Sequence, residues 1–201
     1  HCSTRRQRQM CIRDRNKDVS KFRLDGQVAL ITGATRGIGW AIARGMAESG
    51  STVYVNGRDK KVLEARCKNL IDLGYDAKPA FFDATNIEDI NRFLDYTETP
   101  IDILVNNAAI RLRKPLNEIS PKAFSEVLEA NLTSIYAISR SFAARLEDRQ
   151  TNGSLINITS IAGPRARPGD PAYTAAKGGL EALTRSLAVE LAPKVRFNAI
   201  A

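Results

Sequence analysis

The 201-residue chain is 43% hydrophobic and 26% charged, the balance of a single globular domain long enough to bury a real core. Its net charge of +8 is concentrated at one end: residues 1–23 hold eight Lys or Arg against two Asp, which leaves a net charge of only two for everything after them. That balance excludes a basic nucleic-acid-binding face on the domain. The lone His1 excludes a His-based triad, a His metal site and a His general base from this stretch.

The domain therefore starts at about Leu24, with residues 1–23 read as a basic, disordered tail. The opening "HCSTRRQRQMCIRDRN" has no periodicity. Its "MCIRDR" resembles translated sequencing-adapter sequence, so residues 1–16 are read as foreign to the natural protein. No apolar h-region follows the basic start, and no run approaches the ~18 apolar residues of a membrane helix. Cys2, Cys11 and Cys67 form neither a disulfide framework nor a metal spacing, which fits a reducing cytoplasm. The expectation is a cytoplasmic protein without metal, membrane or nucleic-acid partner.

Along the chain, short apolar runs alternate with longer amphipathic ones. "VALIT" (28–32) is a buried-type strand, "GIGWAIARGMAESG" (37–50) a helix ending at Gly50, and "TVYVNG" (52–57) a second strand. "DKKVLEARCKNLIDLG" (59–74) is a helix stopped by Gly74. "AKPAFFD" (77–83) is a third strand, placed at a sheet edge by Pro79. "NIEDINRFLDYT" (86–97) is a helix with Asn86 as N-cap, and "IDILVNN" (101–107) a strand. Residues 120–148 read as one long helix with Ser120 as cap and Pro121 at its first position. "GSLINITS" (153–160) is a strand, 170–192 a helix with Asp170 as cap, and "VRFNAIA" (195–201) a final strand. Strict β/α alternation predicts a doubly wound, Rossmann-type parallel sheet with helices on both faces. The stop within an apolar strand is read as truncation, with the last strand or strands missing.

Two features carry chemistry. Gly33, Gly37 and Gly39 lie between the first strand and the first helix, where glycines let the backbone approach a pyrophosphate and the helix N-terminus supplies free N–H groups. A plain turn is the alternative. Tyr173 and Lys177 stand at i and i+4, on one helix face. A Tyr hydroxyl titrates near pH ~10, and a neighbouring ammonium favours the phenolate, so the pair suits a tuned proton donor. A surface Tyr packed along a Lys stem is the alternative.

The spacing T-G-x-x-x-G-x-G resembles that of the short-chain dehydrogenases/reductases. So do "FFDAT" (81–85), "LVNNAA" (104–109), "EANLTS" (129–134), "INITSIAG" (156–163) and "YTAAK" (173–177), in the expected order from Leu24 to Ala201. Members similar to it include 3-oxoacyl-thioester reductases and gluconate 5-dehydrogenases. The resemblance implies Tyr173 as general acid-base, Lys177 as its activator and ribose contact, Ser160 as the carbonyl-polarising hydroxyl and Asn131 as a proton-relay residue. A solvent-facing Asn131 and a Ser160 that serves only its own loop are the bland alternatives. The cofactor contacts implied are Gly33, Thr35, Arg36, Gly37, Ile38, Gly39, Asp83, Ala84, Asn107, Ala108, Tyr173 and Lys177. One departure is Ala109, where the family usually has Gly.

NAD-preferring members place an acid at the end of the second strand; here Gly57 and Arg58 stand there. Arg58 and Arg36 suit the 2′-phosphate of NADP(H), while a shift of Asp59 toward the ribose keeps NAD(H) possible. Arg111, Arg113 and Lys114 lie near the expected active-site mouth, suited to an anionic substrate or else an ordinary solvated loop. The partners expected are a small carbonyl or alcohol substrate and a second copy, as a homodimer or homotetramer. An NAD-dependent polyol or sugar-acid dehydrogenase, or a non-catalytic nucleotide sensor on the same fold, is the runner-up. Turnover by the 201-residue piece alone is expected to be poor.

Overall fold

Every residue of β1 (Val28–Ile31) is buried, and successive side chains point to opposite sides, as the pleat requires. Val28 and Leu30 enter one core; Ala29 and Ile31 enter a second. A strand buried on both faces needs helices on both, and the computed structural model, which describes residues 22–201, supplies them. The basic tail lies outside the described residues except for Phe22 and Arg23.

The strands β2 (Thr52–Gly57), β3 (Ala77–Phe81), β4 (Ile103–Asn106), β5 (Gly153–Ile158) and β6 (Val195–Ile200) join β1 in one parallel sheet of order β3-β2-β1-β4-β5-β6. Helices α1 (Gly37–Glu48) and α2 (Lys60–Asp72) cover one face through Ala43, Ala47, Leu63 and Leu70. Helices α3 (Ile87–Tyr96), α5 (Ser134–Asp148) and α7 (Pro171–Glu190) cover the other through Ile90, Ile138, Phe142 and Leu187. The doubly wound expectation holds, and Pro79 does lie on an edge strand.

Parallel connections make all six strands end on the same side. The winding reverses between β1 and β4, which opens a crevice at their carboxyl ends. Two caps act as expected: Asn86 accepts from the Asp89 amide and Ser120 from the Ala123 amide.

Four expectations need correction. The helix expected over 120–148 is divided: α4 (Pro121–Leu128) passes into a π-helical turn, Glu129–Thr133, before α5 begins. The cause is Asn131, whose amide donates to the Val127 carbonyl and to the Ile110 carbonyl across the turn, both at 2.8 Å, so the backbone widens there. The fifth strand ends at Ile158, and a short helix α6 (Ala162–Arg165) follows it. Asp170 gives no side-chain cap to α7, because its carboxylate is bound to Arg111. Asp59 is the cap of α2, accepting from the Val62 amide at 3.1 Å, so that helix starts one residue later than expected.

Candidate active site

The glycine turn is built by close approach. Gly33 has φ +61°, and a Cβ on it would lie 2.9 Å from Ala108 Cα across the β1/β4 crevice. Only glycine fits such a junction. Gly33 N–H donates to Asn56 Oδ1 at 3.0 Å, while the Asn56 amide donates to the Ala80 and Phe82 carbonyls at 2.9 and 3.0 Å. One buried Asn thus ties β1, β2 and β3 together beneath the turn. From the other side, Asn107 donates to the Thr32 and Gly33 carbonyls at 3.0 and 3.1 Å. Thr32 Oγ1 accepts from the amides of Asn107 and Ala108 at 3.0 Å each. A Cβ on Gly39 would collide with the Asn107 amide and the Gly33 carbonyl.

Helix α1 then begins without a side-chain cap and with no acid in its first turn. The amides of Gly37, Ile38 and Gly39 therefore keep their donors for an anion, and the dipole favours one. Arg36 and Ile38 stand exposed beside them. These features fit a dinucleotide pyrophosphate.

At the adenosine end, Thr32, Gly57, Asp83, Ala84, Ala108 and Ala109 line a cavity of about 120 Å³. Arg58 Nη1 donates to Asp83 Oδ2 at 3.3 Å, with the Arg58 side chain largely exposed. Burial works to raise the Asp83 carboxyl, but bonds from Thr85 and Arg58 outweigh it and hold the group below its ordinary value. Thr35 packs against Gly57, and its carbonyl accepts from Arg66 Nε at 2.9 Å. A larger groove of about 870 Å³, lined by Phe81, Phe93 and Tyr96, lies beyond the β3 edge and shares only Arg58 and Asp83 with this cavity. No catalytic candidate reaches it.

The catalytic candidates lie past the carboxyl ends of β4 and β5. Ser160 follows β5, and its Oγ accepts from the Ala162 amide at 3.1 Å. Tyr173 lies in the first turn of α7. Lys177 is buried at 1% exposure, with its Nζ 5.8 Å from the Tyr173 ring centre and donating to the Ile158 carbonyl at 2.7 Å. Burial lowers the Lys177 ammonium to about 8. Asn131, fully buried in the π turn, also accepts from the Ile110 amide at 3.2 Å. The solvent-facing alternative for Asn131 fails.

Two residues escaped the sequence reading. Asn56 left a trace, a carboxamide inside the apolar run "VYVNG"; Asp170 left none, since Asp before Pro is an ordinary helix start. Cys67 is buried, and burial pushes its thiol up to about 11. Among the described residues no group of three or more His, Cys, Asp or Glu is placed to hold a metal ion.

A strand-turn-helix phosphate cradle with a buried Lys beside a Tyr at the carboxyl end of the same sheet defines a nucleotide-dependent oxidoreductase. Residues 27–201 match the family model described as short chain dehydrogenase. The chain belongs to that family. It is 36% identical over 172 residues to gluconate 5-dehydrogenase of Gluconobacter oxydans, covering 84% of this chain and 67% of the relative. It is also 36% identical over 186 residues to a 3-oxoacyl-[acyl-carrier-protein] reductase of Aquifex aeolicus, covering 90% of this chain and 75% of that one. The crystal structure of a gluconate 5-dehydrogenase from Burkholderia cenocepacia in complex with NADP and tartrate matches with TM-score 0.85 and 34% identity, over 90% of this chain and 72% of that chain.

Proposed function

We propose that the protein interconverts a carbonyl and a secondary alcohol at the expense of NADP(H), through Ser160, Tyr173 and Lys177. The observation that carries this reading is the buried Lys177 ammonium, fixed on the Ile158 carbonyl and set beside the Tyr173 phenol at the carboxyl end of the sheet, which also bears the phosphate cradle. When bound, the nicotinamide supplies or accepts the hydride. Ser160 donates to the substrate oxygen, and Tyr173 gives that oxygen its proton in reduction and takes it in oxidation. Lys177 keeps positive charge next to the phenol, and Asn131 holds the π turn against Ile110, where the proton relay would run. The amides of Gly37, Ile38 and Gly39 hold the pyrophosphate. Arg58 and Arg36 select the 2′-phosphate, with Asp83 and Ala84 at the adenine.

The substrate in this reading is an anion. Arg113, Lys114, Arg165 and Arg167 are exposed, and Arg113 and Arg167 add positive charge near Asp170 at the start of α7. The named relatives include a gluconate enzyme, and gluconate is an anion. A homodimer or homotetramer in a reducing cytoplasm completes the reading. The partly exposed Tyr136 on α5 and the exposed Val189 on α7 offer an apolar face for the second copy.

The test is to mix the protein with D-gluconate and NADP⁺, then with NAD⁺, and follow reduced nicotinamide. NADP-linked turnover supports the proposal. Tight NADPH binding with no turnover on gluconate or on a panel of hydroxy acids would favour a nucleotide-sensing role.

A further inference from the structure

Arg111 sits between the segment that follows β4 and the start of α7. Its Nε donates to Asp170 Oδ1 at 3.1 Å and its Nη2 to Asp170 Oδ2, a two-pronged pair on a carboxylate with no exposed surface. Its guanidinium carbon lies 5.4 Å from the Tyr173 ring centre. Its own segment is held at both ends. Ile110, just before it, exchanges two hydrogen bonds with Asn131 in the π turn. Lys114, just after it, donates from its amide to the Gly169 carbonyl at 3.0 Å. The segment 110–114 is thus fastened to Asn131 on one side and to the start of α7 on the other, with Arg111 laid across the Tyr173 phenol.

We propose that Arg111, anchored by Asp170, is a positioning residue for Tyr173, fixing the plane of the phenol for proton transfer. The inference rests on the oxidoreductase reading above. A planar guanidinium gripping a carboxylate at two points cannot swivel, so the face it presents to the ring is fixed. Lysine could supply the charge at residue 111 but not the plane. Arg111 is the only described side chain that hydrogen-bonds this carboxylate, with Arg113 and Arg167 adding positive charge nearby, and the carboxylate is spent on Arg111 instead of capping α7. Asp170 costs α7 a cap and places an ion pair next to the acid-base residue. A residue kept only for helix stability would have capped it.

The experiment measures NADP-linked kcat and KM with D-gluconate, and NADPH dissociation by fluorescence, on wild type, Arg111→Met, Arg111→Lys, Asp170→Asn and the double variant Arg111→Met/Asp170→Asn. Misplacing a reacting group by about an ångström costs up to roughly 100-fold in rate. Arg111→Met is therefore expected to lower kcat about 10- to 100-fold, with NADPH affinity changed by less than about two-fold. Arg111→Lys is expected to stay within about three-fold of that low kcat, because charge alone does not restore the plane. The double variant leaves no unpaired buried carboxylate. It is expected to melt within about 3 °C of wild type and to show the same low kcat as either single variant, since both remove one unit. Wild-type kcat in the double variant, or full rescue by Lys, would overturn the positioning role. A Tyr173→Phe control with wild-type turnover would show that the phenol is not the proton donor and would overturn the proposal, whereas wild-type protein with no NADP-linked turnover would overturn the oxidoreductase reading instead.

Discussion

The Thr35 methyl occupies the space that any side chain at Gly57 would need: a Cβ there would lie 2.5 Å from Thr35 Cγ2. The glycine turn and the end of β2 are in direct contact, and the position where a ribose-binding acid belongs is closed to one unless Thr35 moves. In the proposed function, exclusion of the acid and provision of Arg58 act together to favour NADP(H). Arg58→Ala is expected to weaken NADPH binding about 10- to 100-fold and leave NADH within about three-fold, as loss of a charge-assisted phosphate contact predicts. Side-by-side fluorescence titration checks it. Gly57→Asp alone is expected to cost about 1–3 kcal/mol of stability from overpacking. Adding Thr35→Ser, which deletes the obstructing methyl, is expected to recover that loss and to bring NADH affinity up.

Lys177 sets a pH dependence of known sign. Its ammonium is lowered to about 8 from an ordinary 10.5 by burial. Below about pH 8 the folded protein holds a buried charge that the unfolded chain would solvate freely. Between about 8 and 10.5 the unfolded chain binds this proton more tightly than the folded one, so stability from this group rises with pH across that window. Activity moves the opposite way: kcat is expected to decline above about pH 8 as the charge beside Tyr173 is lost. Lys177→Met removes the cost of burying the charge, about 3 kcal/mol at pH 7 from the size of the shift. The variant is expected to melt above wild type at pH 7 while losing turnover. Calorimetry at pH 7 and 10, with initial rates over the same range, separates the two effects. A variant that melts lower at pH 7 would contradict the assignment.

Asn56 is saturated, with its oxygen accepting from Gly33 and its amide donating to both Ala80 and Phe82. Asn56→Asp keeps the shape and the acceptor but sets a carboxylate against two carbonyls. It is expected to cost about 3 kcal/mol or more and to weaken NADPH binding along with it, because the same residue shapes the phosphate turn. Denaturant melts and cofactor titration on one sample check both.

The α/β order, the caps Asn86 and Ser120, the edge position of β3 and the glycine turn were legible because each is a local matter of spacing, capping residue or breaker. The π turn was not: the period of 120–148 is helical throughout, and it is a tertiary bond from Asn131 to Ile110 that widens the helix. Asp170 misled for the same kind of reason. Asp followed by Pro is the local signature of a helix start, and only the fold brings in Arg111, 59 positions away, to claim the carboxylate. Asn56 was visible as a polar residue in an apolar strand, but its partners lie in the glycine turn after β1 and at the end of β3 and could not be read along the chain.

The most direct test of the account is Tyr173→Phe, with kcat for the NADP-linked reaction and the NADPH dissociation constant measured on the same preparation. Removing one hydroxyl from the acid-base residue is expected to lower kcat by about 10²- to 10⁴-fold while cofactor affinity stays within about three-fold. A Tyr173→Phe protein that binds NADPH and still turns over at the wild-type rate would show that the phenol is not the proton donor, and the account would fail at its centre.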